Sequence, residues 1–363
     1  MKLQITQENL NRALNNVAKV ANTRNTLPIL SNVLIKTVDN RVCIAATNLN
    51  IAITQYIGSK VSSSGSITVP ARLTQDFVSS LPSGTIDLSL TDTKLHISTG
   101  KYQSTINGTL ADEYPVMPTI TDGKKWSIPA NVLKKSLQQV IIATSSDDAR
   151  PILTGVYLYT RDKSLFVVAT DSYRLAEKKV MDLDEDVSLL IPSSSIQDLL
   201  RVMPDGDEQV KIVHDEQQVL FSVNDIELVT RLIEGKYPDY QKLIPTQFSI
   251  SATLNKNDFV NITKVSSLFA RESAGSVTME IDEGDKVVRI NSVASQLGEN
   301  KAEAEAEVSG SGLITLNSRY IIDALGVVDA MDVSISFNSK IDPCVIKPKG
   351  DDSYTHIIMP LKS

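Results

Sequence analysis

The chain has 363 residues and carries 36 Lys and Arg against 43 Asp and Glu, a formal net charge of −7. A single hydrophobic core stops growing near ~250–300 residues, so the length demands at least two domains and favours three of about 121 residues each. With 42 % hydrophobic and 22 % charged residues the composition excludes a disordered chain, and the acidic balance, taken alone, argues against a nucleic-acid partner.

The first predicted element is a helix over 7–21, with Leu10, Leu14, Val17 and Ala21 on one face. A second helix follows Pro70 over 71–81, and "IDLSL…LHIS" (86–98) alternates as strands do. The same succession then returns. Leu133, Leu137 and Val140 repeat the first stripe 123 residues later in a helix over 129–144, with Pro129 well placed at its start. Pro28-Ile29-Leu30 returns as Pro151-Ile152-Leu153, Ala46-Thr47 as Ala169-Thr170, and Tyr114-Pro115 as Tyr237-Pro238, all at 123. Pro70 returns as Pro192 before a helix over 193–203, followed by alternation in "VKIVH…VLFSV" (210–223).

A third copy is fainter. Phe259 lies 126 residues after Leu133, in a helix over 255–270 whose stripe is broken by Thr263 and Ser266. "VTMEI…VVRI" (277–290) and "VSISF" (333–337) alternate, and Asn317 is a good N-cap for a helix over 317–328. The expectation is an α+β chain of three repeated domains, 1–122, 123–247 and 248–363, each with two helices packed on antiparallel sheet.

Chemistry-bearing patterns are scarce. His96, His214 and His356 each lie in or beside a strand pattern and read as strand-face residues. No zinc-protease, phosphate-loop or dinucleotide motif occurs. Asp182, Asp184 and Asp186 lack the Gly and Glu that a calcium loop needs, having Val187 and Ser193 there instead. Two cysteines, Cys43 and Cys344, exclude a disulfide framework and a Cys-rich metal site, and fit a reducing compartment. No charged-then-apolar leader opens the chain, and the reading is cytoplasmic. No metal or cofactor is expected. Asp147-Asp148 reads as a loop or N-cap; with Asp171 it leaves open a carboxylate site in a hydrolytic enzyme, and a peptide-binding scaffold is a further alternative.

The charges are unevenly placed. The six helical windows hold nine basic and five acidic residues, so the rest of the chain carries eleven more acids than bases. If the helices share one surface, that surface is positive inside an acidic shell and would meet duplex phosphates without base readout. Ordinary solvated helix faces fit the same count equally well.

Five segments then carry a resemblance. They are Thr26-Leu27-Pro28-Ile29-Leu30-Ser31-Asn32, Thr68-Val69-Pro70-Ala71-Arg72, Ala169-Thr170-Asp171-Ser172-Tyr173-Arg174-Leu175-Ala176, Gly235-Lys236-Tyr237-Pro238-Asp239-Tyr240 and Ile357-Ile358-Met359-Pro360-Leu361. In this order, and over essentially its whole length, the sequence resembles the bacterial beta sliding clamps, the processivity subunits of DNA polymerase III. The resemblance implies a DNA-clamp fold and a ring-shaped head-to-tail homodimer, with helices lining the hole around double-stranded DNA. It implies no catalysis, no cofactor and no membrane. Partners would be the polymerase III catalytic subunit, the clamp loader, and other DNA polymerases and repair proteins, each docking a short glutamine- and leucine-rich peptide.

By family position the DNA-facing candidates are Arg24, Arg72, Lys134, Lys135, Arg150 and Arg201. The partner-peptide pocket would be formed by Leu153, Thr170, Ser172, Tyr173, Arg174, Leu175, Pro238, Lys242, Leu243, Pro343, Ile357, Ile358, Met359, Pro360 and Leu361, with Arg174 and Lys242 as its polar rim. The dimer interface would join Lys101, Ser104 and Ile106 of one chain to Leu268, Phe269 and Glu303 of another. Ser104 stands where members commonly carry an aromatic residue, and Tyr102 or Ile106 would compensate.

Overall fold

A computed structural model describes residues 1–21, 27–294 and 298–361. Arg24 lies outside the described residues. The chain opens with β1 (Lys2–Thr6), α1 (Gln7–Val17), β2 (Asn32–Val38), β3 (Arg41–Thr47), β4 (Ile51–Gly58), β5 (Lys60–Ser63), β6 (Ser66–Pro70), α2 (Ala71–Ser80), β7 (Thr85–Thr91), β8 (Lys94–Thr99) and β9 (Tyr102–Asn107). The plan then recurs as β10 (Lys124–Pro129), α3 (Ala130–Ile141), β11 (Gly155–Arg161), β12 (Ser164–Thr170), β13 (Arg174–Asp182), β14 (Ser188–Pro192), α4 (Ser193–Val202), β15 (Gln209–His214), β16 (Gln218–Val223) and β17 (Ile226–Arg231). It recurs once more as β18 (Ile250–Asn255), α5 (Lys256–Phe269), β19 (Ser276–Asp282), β20 (Val287–Ala294), β21 (Gly298–Glu305), β22 (Glu307–Ser309), β23 (Gly312–Asn317), α6 (Ser318–Val327), β24 (Asp332–Phe337), β25 (Cys344–Pro348) and β26 (Tyr354–Ile358).

The six helices lie where the periodicity puts them, although α1 and α3 stop three or four residues early, in tight turns such as Val20 N to Val17 O. Each begins directly after a strand. The side chains of Thr6, Asn255 and Asn317 accept backbone N–H groups at the starts of α1, α5 and α6. Pro129 is the last residue of β10 rather than the first of α3. Leu10, Leu14 and Val17 are buried, as are Leu133, Leu137 and Val140. In α5 the stripe is completed by hydroxyls. Thr263 Oγ1 donates to Phe259 O at 2.7 Å, while Ser266 Oγ donates to Ile290 O and accepts from Asn300 Nδ2 at 2.9 Å. Both residues are fully buried, and these bonds remove the desolvation cost.

The chain divides into two compact units, Met1–Asn131 with Gln197–Leu232, and Val132–Ile196 with the chain from Ile233 on. The first holds a five-stranded sheet, β5-β1-β7-β8-β9, and an eight-stranded sheet, β10-β15-β16-β17-β4-β3-β2-β6. The second holds a nine-stranded sheet, β14-β11-β12-β13-β26-β25-β24-β18-β22, and a four-stranded sheet, β21-β20-β19-β23. All recorded pairings are antiparallel, and the two longest sheets each join strands of successive repeats.

Register makes the repeats superimposable. Asn32 faces Pro70, Gly155 faces Pro192 and Ser276 faces Asn317. At the joins between repeats, Val229 faces Ala52 and Ile357 faces Leu175. The strands "VKIVH", "VLFSV", "VTMEI" and "VSISF" alternate in burial as their sequences do. Strands β12 and β26 are buried on both faces and read instead as continuous apolar runs.

On β26 the register equates His356 with Leu228 of β17 and Ser104 of β9. His356 is fully buried, its Nδ1 lies 3.2 Å from Tyr354 Oη, and its Nε2 has no partner. Tyr354 Oη donates to Gln139 O, so Nδ1 carries the proton and the imidazole is neutral. Burial, with the nearby Arg174 charge, lowers its pKa to about 3. Because the unfolded chain binds this proton more tightly, the contribution of His356 to stability is complete above about pH 6.5 and is lost as pH falls toward 3. His356→Leu, which copies the second repeat, is expected to flatten that acid limb in urea unfolding at pH 7 and 4.5; an unchanged difference between the two pH values would refute the assignment.

Candidate functional site

In the second unit, the segment between β12 and β13 forms a tightly bonded turn. Thr170 Oγ1 donates to Arg174 O at 2.7 Å and accepts from Ser172 N at 3.2 Å. Asp171 Oδ1 accepts from the backbone N–H groups of Tyr173 and Arg174, both at 2.9 Å. Ser172 sits at φ 80°, a left-handed conformation that the surrounding bonds hold in place. Leu175 then pairs with Ile357, Arg174 with Ile358, and Tyr173 O accepts from Met359 N at 2.8 Å. Leu361 N donates to Thr315 O at 2.9 Å, so the terminal segment is fixed at both ends.

Beneath the turn lies an apolar cluster that includes Leu175, Leu190, Val345 and Ile357, with Met359 packed against it. Its floor is aromatic. Tyr157 stacks on Tyr159 and on Tyr237, both with centroids 4.9 Å apart, and Tyr159 Oη lies 2.5 Å from Tyr240 Oη. Tyr240 donates to Glu177. Burial, and then Glu177, pushes the Tyr240 hydroxyl far up, so it stays neutral and acts as a fixed donor. Leu153 and Thr170 are buried at the margin, while Tyr173, Pro238, Lys242 and Leu243 stand exposed around it. Pro343, Met359, Pro360 and Leu361 are half-buried. Ile358 is fully buried and, by strand alternation, faces the opposite side of the sheet from Ile357.

The two rim cations differ. Lys242 is 84 % exposed, 2.9 Å from Asp239, whose carboxylate raises its pKa. Arg174 is not a free rim group, with a side chain only 12 % exposed. Its Nε lies 3.0 Å from Asp171 and its Nη1 2.6 Å from Asp323, and its guanidinium lies over Tyr320. It positions the turn against α6. Asp323 and Tyr320 are the functional residues that sequence reasoning missed, being distant in the chain and marked by no motif.

Of the DNA-facing candidates, Arg72 is exposed on α2, and Lys135, on α3, pairs with Asp329 at 2.9 Å. Lys134 is half-buried on α3. Arg201 is three-quarters buried and held by Asp198 at 2.7 Å, with a longer contact to Asn16 O. Arg150 bonds Asp147 and, through Nη1, Ser172 Oγ at 3.1 Å, which places it beside the turn of the groove. Asp147 and Asp171 are thus each paired with an arginine, whereas Asp148 is exposed. Among the described residues no cluster of His, Cys, Asp and Glu could hold a metal, and no helix is long and apolar enough to cross a membrane.

Of the interface candidates, Ser104 and Ile106 lie on β9 and Glu303 on β21, strands that each pair on one side alone among the described residues; Lys101 directly precedes β9, and Leu268 and Phe269 end α5. Lys101 is exposed, Ser104 is half-buried, and Tyr102 is 52 % exposed. Ile106 is 3 % exposed and packs into its own unit, so it cannot take the anchoring role proposed for it. Leu268 is exposed, Phe269 half-buried, and Glu303 pairs with Arg289 at 3.0 Å.

Comparison with known proteins agrees with this geometry. Three family descriptions of the DNA polymerase III beta subunit match in order: the N-terminal domain over residues 1–118, the central domain over 127–239 and the C-terminal domain over 241–362. The chain is 32 % identical to the beta sliding clamp of Staphylococcus epidermidis, over the full length of both. It is similar to the crystal structure of the DNA polymerase sliding clamp from Bacillus subtilis, at 29 % identity and a TM-score of 0.95, covering 100 % of this chain and 99 % of that one. The Streptococcus pneumoniae DNA polymerase III beta chain gives 30 % and 0.93, covering both chains fully. With three successive matches along its length and a full-length relative above 30 % identity, this chain belongs to the DNA polymerase III beta subunit family, the beta sliding clamps.

Proposed function

We propose that this protein is a cytoplasmic sliding clamp: a homodimer that encloses duplex DNA, independently of sequence, and tethers the replicative polymerase and other replication and repair proteins to it. It performs no chemistry. Residues 1–122, 123–247 and 248–363 are its three clamp domains, the groove around Tyr173 and Met359 takes a short partner peptide, and exposed helix cations such as Arg72 face the phosphates. Enclosure makes tight DNA affinity unnecessary, because a tethered polymerase stays at high effective concentration.

The observation that carries this reading is the pair of open sheet edges. In each of the two joined sheets, the last strand of one repeat pairs with the third long strand of the repeat before it, β17 with β4 and β26 with β13. The last strand of the first repeat, β9, and its would-be mate in the third, β21, have no such partner among the described residues. A second copy supplies both. Extending the observed register puts Thr105 opposite Glu299, Gln103 opposite Lys301 and Lys101 opposite Glu303. At the completed joins, Tyr56 N donates to Asp225 O at 2.9 Å and Lys179 N to Ser353 O at 2.7 Å. The same step predicts a bond from Glu303 N to Lys101 O across the dimer.

Sedimentation of Lys101→Glu is expected to show dimer affinity several-fold weaker, roughly 1 kcal/mol, with recovery in the Lys101→Glu, Glu303→Lys double variant. Absence of recovery would count against the register. For function, protein loaded on nicked circular duplex should be retained long after it has left linear duplex of equal length; equal loss from both would sink the enclosure reading. Replacing Met359 and Leu361 with Ala should cut affinity for a glutamine- and leucine-rich partner peptide at least tenfold while the dimer persists, and unchanged affinity would refute the groove.

A further inference from the structure

The sheet position that carries the groove in the second unit has a counterpart in the first, on the sheet that contains β2, β3, β4 and β17. Register and the 123-residue repeat equate Leu34 with Tyr157, Lys36 with Tyr159, Cys43 with Phe166 and Met117 with Tyr240. Tyr114, the counterpart of Tyr237, is kept and buried, and its hydroxyl donates to Asn32 O at 3.1 Å. The frame is therefore preserved while four aromatic rings are missing. In the second unit those rings pack against one another and fill the space. In the first unit the space is a cavity of about 410 Å³ lined by these same four replacements, together with Tyr56 and Glu227.

A cavity of this size, with apolar walls interrupted by polar groups that include Lys36, Asp112 and Glu227, falls within the range of small-molecule sites. One of its polar groups, Glu227, is also placed by the repeat. Tyr240 donates its hydroxyl to Glu177 in the second unit, where Glu177 faces Thr355 across the strand pair. In the first unit the same pair is Thr54 facing Glu227, so the carboxylate is kept but moved to the neighbouring strand. Lys36 and Glu227 have no ion-pair partner among the described residues. Burial raises the Cys43 thiol to about 11, which keeps it protonated, so occupancy is non-covalent.

We propose that this cavity binds a small, planar, hydroxyl-bearing aromatic molecule, whose ring system takes the place of the four missing rings and whose hydroxyl donates to Glu227. The site stands on the repeat equivalence and is independent of what the partner groove binds.

The test uses the full-length protein and 2-naphthol. Fluorescence titration should give saturable binding that falls at least tenfold in the Cys43→Phe, Met117→Tyr variant, which restores two of the rings. Glu227→Gln should weaken 2-naphthol several-fold while leaving 2-methylnaphthalene unaffected, and Met359→Ala should bind 2-naphthol as the native chain does. Undiminished binding to the ring-restored variant, or loss in Met359→Ala, would overturn the proposal. Should the ring-restored variant fail to fold, methyl NMR of the native protein decides: 2-naphthol must shift Met117 and Val229, and unshifted signals overturn it. A short tyrosine-containing peptide binding more tightly than 2-naphthol would also overturn it, by making the occupant a protein side chain.

Discussion

Every buried backbone N–H and C=O must find a partner, and in this chain no repeat can satisfy that demand by itself. Each repeat splits its strands between two sheets, and the eight- and nine-stranded sheets are each completed by a neighbouring repeat. Strand β17 closes on β4, and β26 closes on β13. The joins are continuous antiparallel strand pairings, so the repeats are fused through their sheets and not strung together by linkers. Because the strand offered at one edge differs from the strand offered at the other, the proposed second copy would complete the pattern head to tail, and such a contact closes when the rotation per unit divides the circle. Long unpaired edges are otherwise an aggregation hazard, which is a physical reason for β9 and β21 to be covered.

What was legible in the sequence follows from the same constraint. Helices with one buried stripe and strands with one buried face declare themselves by period, as the α1 stripe and "VTMEI" do. The third repeat is faint because α5 fills its stripe with Thr263 and Ser266, whose hydroxyls are bonded internally, so polarity there signals no exposure. The role of Arg174 was misread for another reason. Its charge suggests a rim, but its partner Asp323 lies 149 residues away, and no local pattern reveals that pairing. Ile106 shows the limit of carrying a role over by position: one residue of β9 faces the core of its own unit while its strand offers an open edge.

The charge distribution bears on how duplex could be held. Several helix cations are already engaged, Lys135 by Asp329, Arg201 by Asp198 and Lys256 by Val328 O. Arg12, Arg72, Lys264 and Arg319 are exposed on their helices, and Lys19 is exposed in the turn after α1. A few exposed cations within a chain of net charge −7 give weak, salt-sensitive attraction to phosphate and no base readout. Such contact suits a protein that must move along its ligand. Persistence would then come from topology, which salt does not screen.

Repetition also explains why one groove could specialise. Where a position occurs three times with the same register, it can change in one copy without disturbing the sheets that hold the molecule together. In the second repeat the position is aromatic, and the turn, which the first repeat also has at Thr47–Ile51, is tied by Arg174 to Asp323 and Tyr320 of α6. Any shift of α6 must then be felt at Tyr173 and Met359, because Arg174 has little freedom between its two carboxylates and the ring below it. The proposed groove is thus built by two repeats together. A salt-bridged arginine lies beneath its surface, and its outer residues, Tyr173, Lys242 and Leu243, stand exposed.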